Sequence, residues 1–372
     1  MATVYRGLLE GAFRVRRPVA VKVFDVLATE ERDSIATALA RAVRHAALVQ
    51  HPNVAEIHDF ALISNAQPVV ISELVEGVSL AALLAALASA GRKMPTDIAI
   101  FVAHEIAEAL EGAREARTIE GLAMHVVHQA LSACDVLMSW HGVVKVTDFG
   151  LASAFRSAPI KKPADRLRRL STLAPEVARG KRGDARSDVF SLGVLLREML
   201  VGPRFPAGTS EGQAGIWARE GHVEGRLLDP QVPAPLGPIV ARALELDPQH
   251  RYAHAGAMAF DLRRVCLSMG VGDGRIFLRS MLEDVCGVGR YASSDATQPT
   301  RHIPAELFVP PMESESRLAM PGSPESDPSA FASLTESGQR LAMRPLDSEP
   351  RLVAEPPAAP DHVTVHRIVR DG

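Results

Sequence analysis

The sequence predicts an α+β fold of two lobes followed by a disordered tail. Three observations lead to this prediction. Residues 1–75 contain apolar, β-branched runs typical of strands, and residues 76–290 carry apolar residues mostly at helical spacing. Residues 291–372 are rich in Pro, Ser, Glu and Asp. We therefore expect a small, mostly β lobe at 1–75, a large, mostly α lobe at 76–290 and an unstructured tail.

The elements follow in order along the chain. In the small lobe, strands are predicted at 18–24 and 68–71, on either side of a helix at 30–49. In the large lobe, helices are predicted at 96–113 and 187–200. Between these helices, residues 136–138 and 143–146 have the pattern of a short hairpin around His141-Gly142.

The tail combines few large apolar residues with many prolines, so it cannot bury enough surface to offset the entropy of ordering it. It repeats the tetrapeptide Arg-Leu-Ala-Met at Arg317–Met320 and Arg340–Met343. Two interpretations remain open. The repeat is a coincidence of composition, or it is a duplicated linear motif that docks a partner.

Composition excludes several classes of protein. A hydrophobic fraction of 47% and a net charge of −3 over 372 residues are those of a globular protein without the basic surface that nucleic acids require. No apolar run is long enough for a membrane span, and the first residues do not read as a signal peptide. The three cysteines lack metal-ligand spacing and fit a reducing compartment. We expect a cytoplasmic protein.

Eight segments, taken in order, resemble the protein-kinase family, and in particular bacterial serine/threonine kinases. The match runs from about residue 1 to residue 265, and its specificity lies in the order and spacing of the segments. They are VAVKVF at 19–24, HPNVAEIHDF at 51–60, SELVEGVSL at 72–80, VVHQALSACDVLM at 126–138, VKVTDFGLA at 144–152, LAPEV at 173–177, SDVFSLGVLLREML at 187–200 and ALELDPQHRY at 243–252.

The resemblance implies a site for ATP and Mg²⁺. Lys22 would pair with the α- and β-phosphates, and Asp148 of the DFG motif would hold Mg²⁺ together with Asp135, which stands at the metal-binding asparagine position. The adenine ring would lie between apolar side chains and the hinge, formed by Val4, Ala20, Ser72, Glu73, Val75 and Leu137. The alternative is that Lys22 and Asp148 pair with each other and close an empty cleft.

Structural positions of the family are also present. The resemblance implies that Asp188 caps the backbone of the catalytic loop and that His128 stacks beneath Phe149. It further implies a buried pair between Glu176 and Arg251.

Several residues that carry out phosphoryl transfer in the family are missing from this sequence. The family's catalytic loop reads HRDLKPxN, whereas this loop places Ala130 at the position of the base and Ser132 at that of the lysine. Groups of this kind contribute factors of about 10²–10⁴ each. The glutamate that holds the strand lysine is replaced by Ala42, and a threonine before the APE motif is replaced by Arg169.

The chain opens with Met1-Ala2-Thr3-Val4-Tyr5-Arg6-Gly7, which resembles the second half of the family's glycine-rich loop and the strand after it. The first strand of the small lobe is therefore absent from this chain. Either the chain is short, or its true start lies upstream. The second explanation is favoured, because a sheet without its first strand exposes an edge.

The resemblance and its gaps predict an ATP-binding pseudokinase that acts as a scaffold or allosteric regulator of other signalling proteins, such as an active kinase. Two alternatives stay open. The first is a weakly active serine/threonine kinase, because positioning and metal electrostatics carry much of phosphoryl transfer. The second is an interaction protein whose tail does the binding, with the folded lobes as a handle.

Overall fold

The computed structural model describes residues 2–10, 16–24, 29–63, 67–155, 163–223, 232–287 and 362–364. The small lobe contains strands β1 (Ala2–Glu10) and β2 (Arg16–Phe24), helix α1 (Thr29–Ala46), and strands β3 (Ile57–Ile63) and β4 (Gln67–Glu73). With the short strand β8 (His362–Thr364), these strands form one sheet in the order β3-β4-β2-β1-β8.

The two faces of this sheet have different roles, because alternate side chains of a strand point to opposite sides. On one face, valines of β2 and Ile71 of β4 pack into an apolar cluster with Leu9 and Ile63. The other face carries Ala20, Lys22 and Ser72, all half-buried. The sequence of β2 therefore places Lys22 on the face away from the valine cluster.

Helix α1 packs on the same face of the sheet as Lys22. Phe24 and Val70 of the sheet contact Leu39 and Val43 of the helix in a second apolar cluster. This cluster also includes Leu151, Ala154 and Phe155 of a 3₁₀ turn, Leu151–Phe155.

The large lobe begins with a three-stranded antiparallel sheet of β5 (Gly77–Ser79), β6 (Val136–Ser139) and β7 (Val144–Val146). Gly77 is required there, because a Cβ at this position would lie 1.8 Å from the carbonyl oxygen of Met138. The helices are α2 (Leu80–Ser89), α3 (Thr96–Glu115), α4 (Pro163–Thr172), α5 (Pro175–Ala178), α6 (Ala185–Leu200), α7 (Glu211–Glu220), α8 (Gly237–Ala243), α9 (Ala255–Ser268) and α10 (Gly274–Leu282).

Helix α6 is the centre of the large lobe. It begins with a capping box between Asp184 and Ser187, which satisfies two backbone N–H groups of the first turn. Its side chains are buried along nearly the whole length, and α3, α8 and α9 pack around it. Within the part of the chain that the structure describes, none of the helices has the length and apolar character needed to cross a membrane.

The predicted two-lobed α+β fold is confirmed, and the helices predicted at 30–49, 96–113 and 187–200 correspond to α1, α3 and α6. The elements that were not predicted individually include β5, α4 and β8. Most of the tail, including the two Arg-Leu-Ala-Met segments, lies outside the described residues.

Candidate functional site

A single buried carboxylate shapes the loop before β6. Asp188, at the start of α6, accepts hydrogen bonds from the backbone N–H groups of His128 and Gln129, at 2.7 and 2.9 Å. Burial raises the pKa of Asp188 to about 6. The predicted cap on the catalytic loop is therefore confirmed.

The His128 ring packs against Phe149, with 4.9 Å between the ring centroids. Its Nε2 lies 2.9 Å from the carbonyl oxygen of Thr147, to which it donates as the Nε2–H tautomer. This hydrogen bond joins the loop before β6 to the segment after β7. The predicted contact between His128 and Phe149 is present, but the ring planes are tilted by 58° and are not stacked.

Backbone strain is concentrated at the same place. Among the described non-glycine residues, three have positive φ angles, and two of them, Gln129 (φ 70°) and Asp148 (φ 67°), lie in these two segments. Left-handed backbone costs energy for residues with a Cβ, so it persists only where the surroundings impose it. The hydrogen bond from Gln129 to Asp188 is one such constraint.

Lys22 and Asp148 form an ion pair across the cleft between the lobes. Their side chains are 23% and 19% exposed, so the pair is largely shielded from solvent. Burial lowers the pKa of Lys22, but the carboxylate of Asp148 more than offsets this, and the net pKa lies above the ordinary value. The pairing of Lys22 with Asp148, which was one of the alternatives considered from the sequence, is present in the structure.

Asp135 lies beside this pair and is held by Ser132. Its Oδ2 accepts hydrogen bonds from the backbone N–H and the hydroxyl of Ser132, at 2.8 and 2.7 Å. Burial is the main reason that the pKa of Asp135 is raised, and the negative charge of Asp148 raises it further. Two carboxylates therefore share this end of the cleft.

The donor set suits Mg²⁺. This cation prefers hard oxygen ligands, and it usually takes one or two carboxylates from the protein and completes its shell with water and phosphate oxygens. Asp135 and Asp148 supply two such carboxylates at adjoining positions, since the Thr147 N–H donates to the Asp135 carbonyl oxygen at 2.9 Å. Among the described residues no group of three or more metal-binding side chains occurs, so this site alone is not a complete cage.

The apolar residues predicted to enclose adenine come from both sheets. Strand register pairs Val4 with Lys22 and Ala20 with Ser72, so these four positions form two adjacent rows on one face. From the large lobe, Leu137 of β6 is half-buried, while its neighbours Val136 and Met138 point into the core.

The hinge residues Glu73 and Val75 join the two lobes. The Glu73 carboxylate pairs with Lys145 of β7 at 2.8 Å and also accepts from the Glu56 N–H at 3.2 Å. The side chain of Glu73 is therefore engaged, and its backbone N–H donates to the Glu56 carbonyl oxygen at 2.8 Å. Val75 is half-buried.

At the position of the family's glutamate on α1, this chain has Ala42, which makes apolar contacts. Ala42 is 8% exposed and belongs to the cluster that contains Leu39, Leu151 and Phe155. Phe155 in turn stacks on Phe24, whose ring lies 5.7 Å from the ammonium of Lys22. Phe24 and Phe155 were not among the predicted site residues. The sequence nevertheless shows one aromatic residue at the end of the strand that carries Lys22 and another shortly after the DFG motif.

The pair between Glu176 and Arg251 is confirmed. It is bidentate, with N–O distances of 2.8 and 2.9 Å, and the Ser187 hydroxyl donates to the same carboxylate at 2.7 Å. The side chain of Arg251 is fully buried. This pair ties α5 to the segment before α9, and Arg251 also donates to the Arg186 carbonyl oxygen at the start of α6, at 3.0 Å.

Comparison with known proteins gives the same picture. Residues 1–256 match the family described as protein tyrosine and serine/threonine kinase. A probable serine/threonine-protein kinase of Streptomyces coelicolor is 31% identical over 77% of this chain, and a probable serine/threonine-protein kinase PknB of Lactococcus lactis is 30% identical over 70%. This chain spans only 41% and 39% of the lengths of these two relatives.

Among solved structures, the kinase domain of PknI from Mycobacterium tuberculosis aligns with 67% of this chain and 85% of its own, with a TM-score of 0.49 and 20% identity. The family match covers well over half of the chain and includes every segment described for the cleft. The chain therefore belongs to the protein kinase family.

Proposed function

We propose that this protein is a pseudokinase that binds ATP with Mg²⁺ and acts as a scaffold or allosteric partner of other signalling proteins. One observation carries the proposal. The charged residues that would hold a nucleotide, Lys22, Asp148 and Asp135, lie together in the cleft, whereas Ala130 stands at the position of the catalytic base.

The binding part of the proposal rests on charge and shape. Lys22 would pair with phosphate oxygens, and Asp135 and Asp148 would hold Mg²⁺. Val4 and Ala20 of the small lobe and Leu137 of the large lobe would enclose the base. Without nucleotide, Lys22 and Asp148 neutralise each other. A nucleotide with its cation offers each of them a replacement partner of opposite charge, so the ion pair can separate without leaving a buried charge uncompensated.

The loss of chemistry rests on two side chains. The methyl group of Ala130 can neither orient nor deprotonate a hydroxyl nucleophile. The hydroxyl of Ser132 is uncharged and donates to Asp135, so it cannot neutralise a transferring phosphoryl group as a lysine would. Since each such group is worth a factor of about 10²–10⁴, their joint absence predicts a very low rate.

A weakly active serine/threonine kinase is the second candidate, and a specific observation favours it. Asp148, Lys22 and Asp135 are all present and adjacent, and positioning with metal electrostatics supplies much of the catalysis in phosphoryl transfer. The two candidates agree on nucleotide binding and differ only in turnover.

A thermal-shift titration with ATP and Mg²⁺ tests binding. A ligand present at 100 times its Kd stabilises the native state by about 2.7 kcal/mol, which corresponds to roughly 5 °C for a domain of this size. We expect this shift for the unmodified chain and its loss in Asp148→Asn. Asp284→Asn makes the same change at an exposed ion pair with Arg92 and should keep the shift. Equal curves with and without ATP would contradict the proposal.

Phosphotransfer to a generic protein substrate then separates the two candidates. The pseudokinase predicts no ATP-dependent incorporation of phosphate above that of Asp148→Asn. Sustained incorporation that disappears in both Lys22→Ala and Asp148→Asn would instead establish the weakly active kinase.

A further inference from the structure

The edge of the small-lobe sheet is covered by a strand from far along the chain. Strand β1 pairs with β2 over nine positions on one side, from Ala2 opposite Phe24 to Glu10 opposite Arg16. On its other side it pairs in parallel with β8, with Arg6, Gly7 and Leu8 opposite His362, Val363 and Thr364. Strand β8 is the last in the order of the sheet.

The sequence around β8 suits this role and differs from the rest of the tail. Prolines occur at 356, 357 and 360, and none follows as far as Gly372. The segment His362–Val369 reads HVTVHRIV, in which five of eight residues are β-branched. Because proline has no N–H to donate, only a proline-free stretch such as this can add a continuous strand to a sheet.

The length of the intervening chain permits the pairing. Residues 288–361 separate the last described turn of the large lobe from β8. At roughly 3.3 Å per extended residue, this segment far exceeds the width of a domain. The entropic cost of closing such a loop grows only with the logarithm of its length.

We propose that the outer edge of β1 is a strand-docking surface and that its occupant is β8 of the same chain. An unpaired edge presents a row of N–H and C=O groups that accept an extended peptide through main-chain hydrogen bonds. The docked tail satisfies these groups around Gly7. This inference depends on the sheet alone and holds whether or not the cleft binds a nucleotide.

Docking of β8 also bears on the site, because the strand that it flanks carries Val4. That side chain is 54% exposed and lies two residues before the paired segment. Strand β1 is also tied to the hinge through Arg6, which pairs with Glu76 at 2.9 Å. A docked tail therefore orders the strand above the cleft. Since β8 contributes only three residue pairs, it can leave without unfolding the lobe.

Hydrogen–deuterium exchange of the full chain tests the pairing. The double variant Val363→Pro and Thr364→Pro removes two consecutive N–H donors. Because successive N–H groups of a strand point to opposite sides, one of the two faces β1. Peptides that cover residues 2–10 should exchange several-fold faster in this variant than in the unmodified chain. The matched control, Leu352→Pro with Val353→Pro, changes the same kinds of position outside β8 and should leave the exchange unaltered. Identical exchange in all three chains would overturn the proposal.

Two further measurements determine whether the strand at this edge is β8 and whether it comes from the same chain or from a second copy. A synthetic peptide of residues 358–370 should restore slow exchange to the double variant. The same peptide carrying Val363→Pro and Thr364→Pro should not. Protection of residues 2–10 in the unmodified chain should be independent of protein concentration. If protection falls on dilution together with the apparent mass, the strand comes from a second copy, and the proposed pairing within one chain is wrong.

Discussion

The rings of Phe24 and Phe155 stack with 5.2 Å between their centroids and 21° between their planes. Phe24 ends the strand that carries Lys22, and Phe155 ends the 3₁₀ turn that follows the DFG motif. The turn also packs on α1 through Leu151 and Ala154. The turn after the DFG motif is thus held against the small lobe by apolar contacts, at the place where the family has an ion pair between the strand lysine and a glutamate.

Replacing Phe155 with alanine should loosen this attachment. The side chain is 8% exposed, and removing a buried phenylalanine costs about 3–5 kcal/mol through lost transfer energy and the cavity that remains. We expect a loss near the lower limit of this range, measured as the free energy of unfolding in urea. Phe155→Leu keeps most of the volume and should lose less than half as much. Equal losses in both variants would contradict this expectation, because they would show that the aromatic ring, and not the buried apolar volume, holds the turn.

Restoring the family's glutamate should not restore the family's ion pair. Ala42→Glu places a carboxylate among Leu39, Leu151 and Phe155, and burying an unpaired charge is costly. We expect the free energy of unfolding to fall by about 1–3 kcal/mol. Arg41→Glu, at the adjacent exposed position, should change it by less than about 0.5 kcal/mol. A more stable Ala42→Glu protein would indicate that Lys22 still reaches a carboxylate on α1.

Breaking the pair between Glu176 and Arg251 should be among the most damaging single changes. Removing one partner of a buried ion pair leaves a desolvated charge and costs about 3–5 kcal/mol. Glu176→Gln should therefore lower the free energy of unfolding strongly. The double variant Glu176→Gln with Arg251→Met removes both charges and should recover part of that loss, as measured by denaturant unfolding at pH 7. No recovery would mean that the hydrogen bonds, and not the charges, dominate.

Glu198 should make the fold less stable as the pH rises. Burial raises its pKa from the ordinary 4.5 to about 7, although Arg197 and Arg204 oppose the shift. Because the folded state binds the proton more tightly than the unfolded state, this contribution to stability is complete below pH 4.5 and is lost as the pH rises through about 7.

Between pH 5 and pH 8 the unmodified chain should therefore lose about 1–3 kcal/mol more of its free energy of unfolding than Glu198→Gln does. Glu220→Gln, at an exposed position of α7, should follow the unmodified chain. Parallel curves for Glu198→Gln and the unmodified chain would contradict the predicted role.

Hydrophobic periodicity was enough to predict the long helices and the paired strands, because each of them buries a regular stripe or face. It could not predict β5, whose three residues include a glycine, or α4, an arginine-rich helix without a regular apolar stripe of large residues in its sequence PADRLRRLST. Strand β8 could not be predicted for a different reason. Its pairing depends on an edge more than 350 residues away in the sequence, so no local pattern reports it.

The sequence was enough to predict which residues lie in the cleft, but not the contacts that they make. Motif order placed Lys22, Asp135 and Asp148 in the cleft, because the family's segments occur at the expected spacing. The hydrogen bonds from Ser132 to Asp135 were not anticipated, since they depend on side-chain rotamers that form only when the loop is folded. The apolar environment of Ala42 likewise depends on where the 3₁₀ turn packs.

The two hydrogen bonds that Asp188 accepts from His128 and Gln129 have a consequence for how such a protein can change. These bonds hold the backbone of the loop before β6 in place, and the carboxylate that accepts them lies outside that loop, on α6. The side chain at position 130 can therefore be exchanged without changing the path of the loop, whereas the hydroxyl of Ser132 also holds Asp135. Position 130 is thus the natural place in this loop to install a new reaction by design.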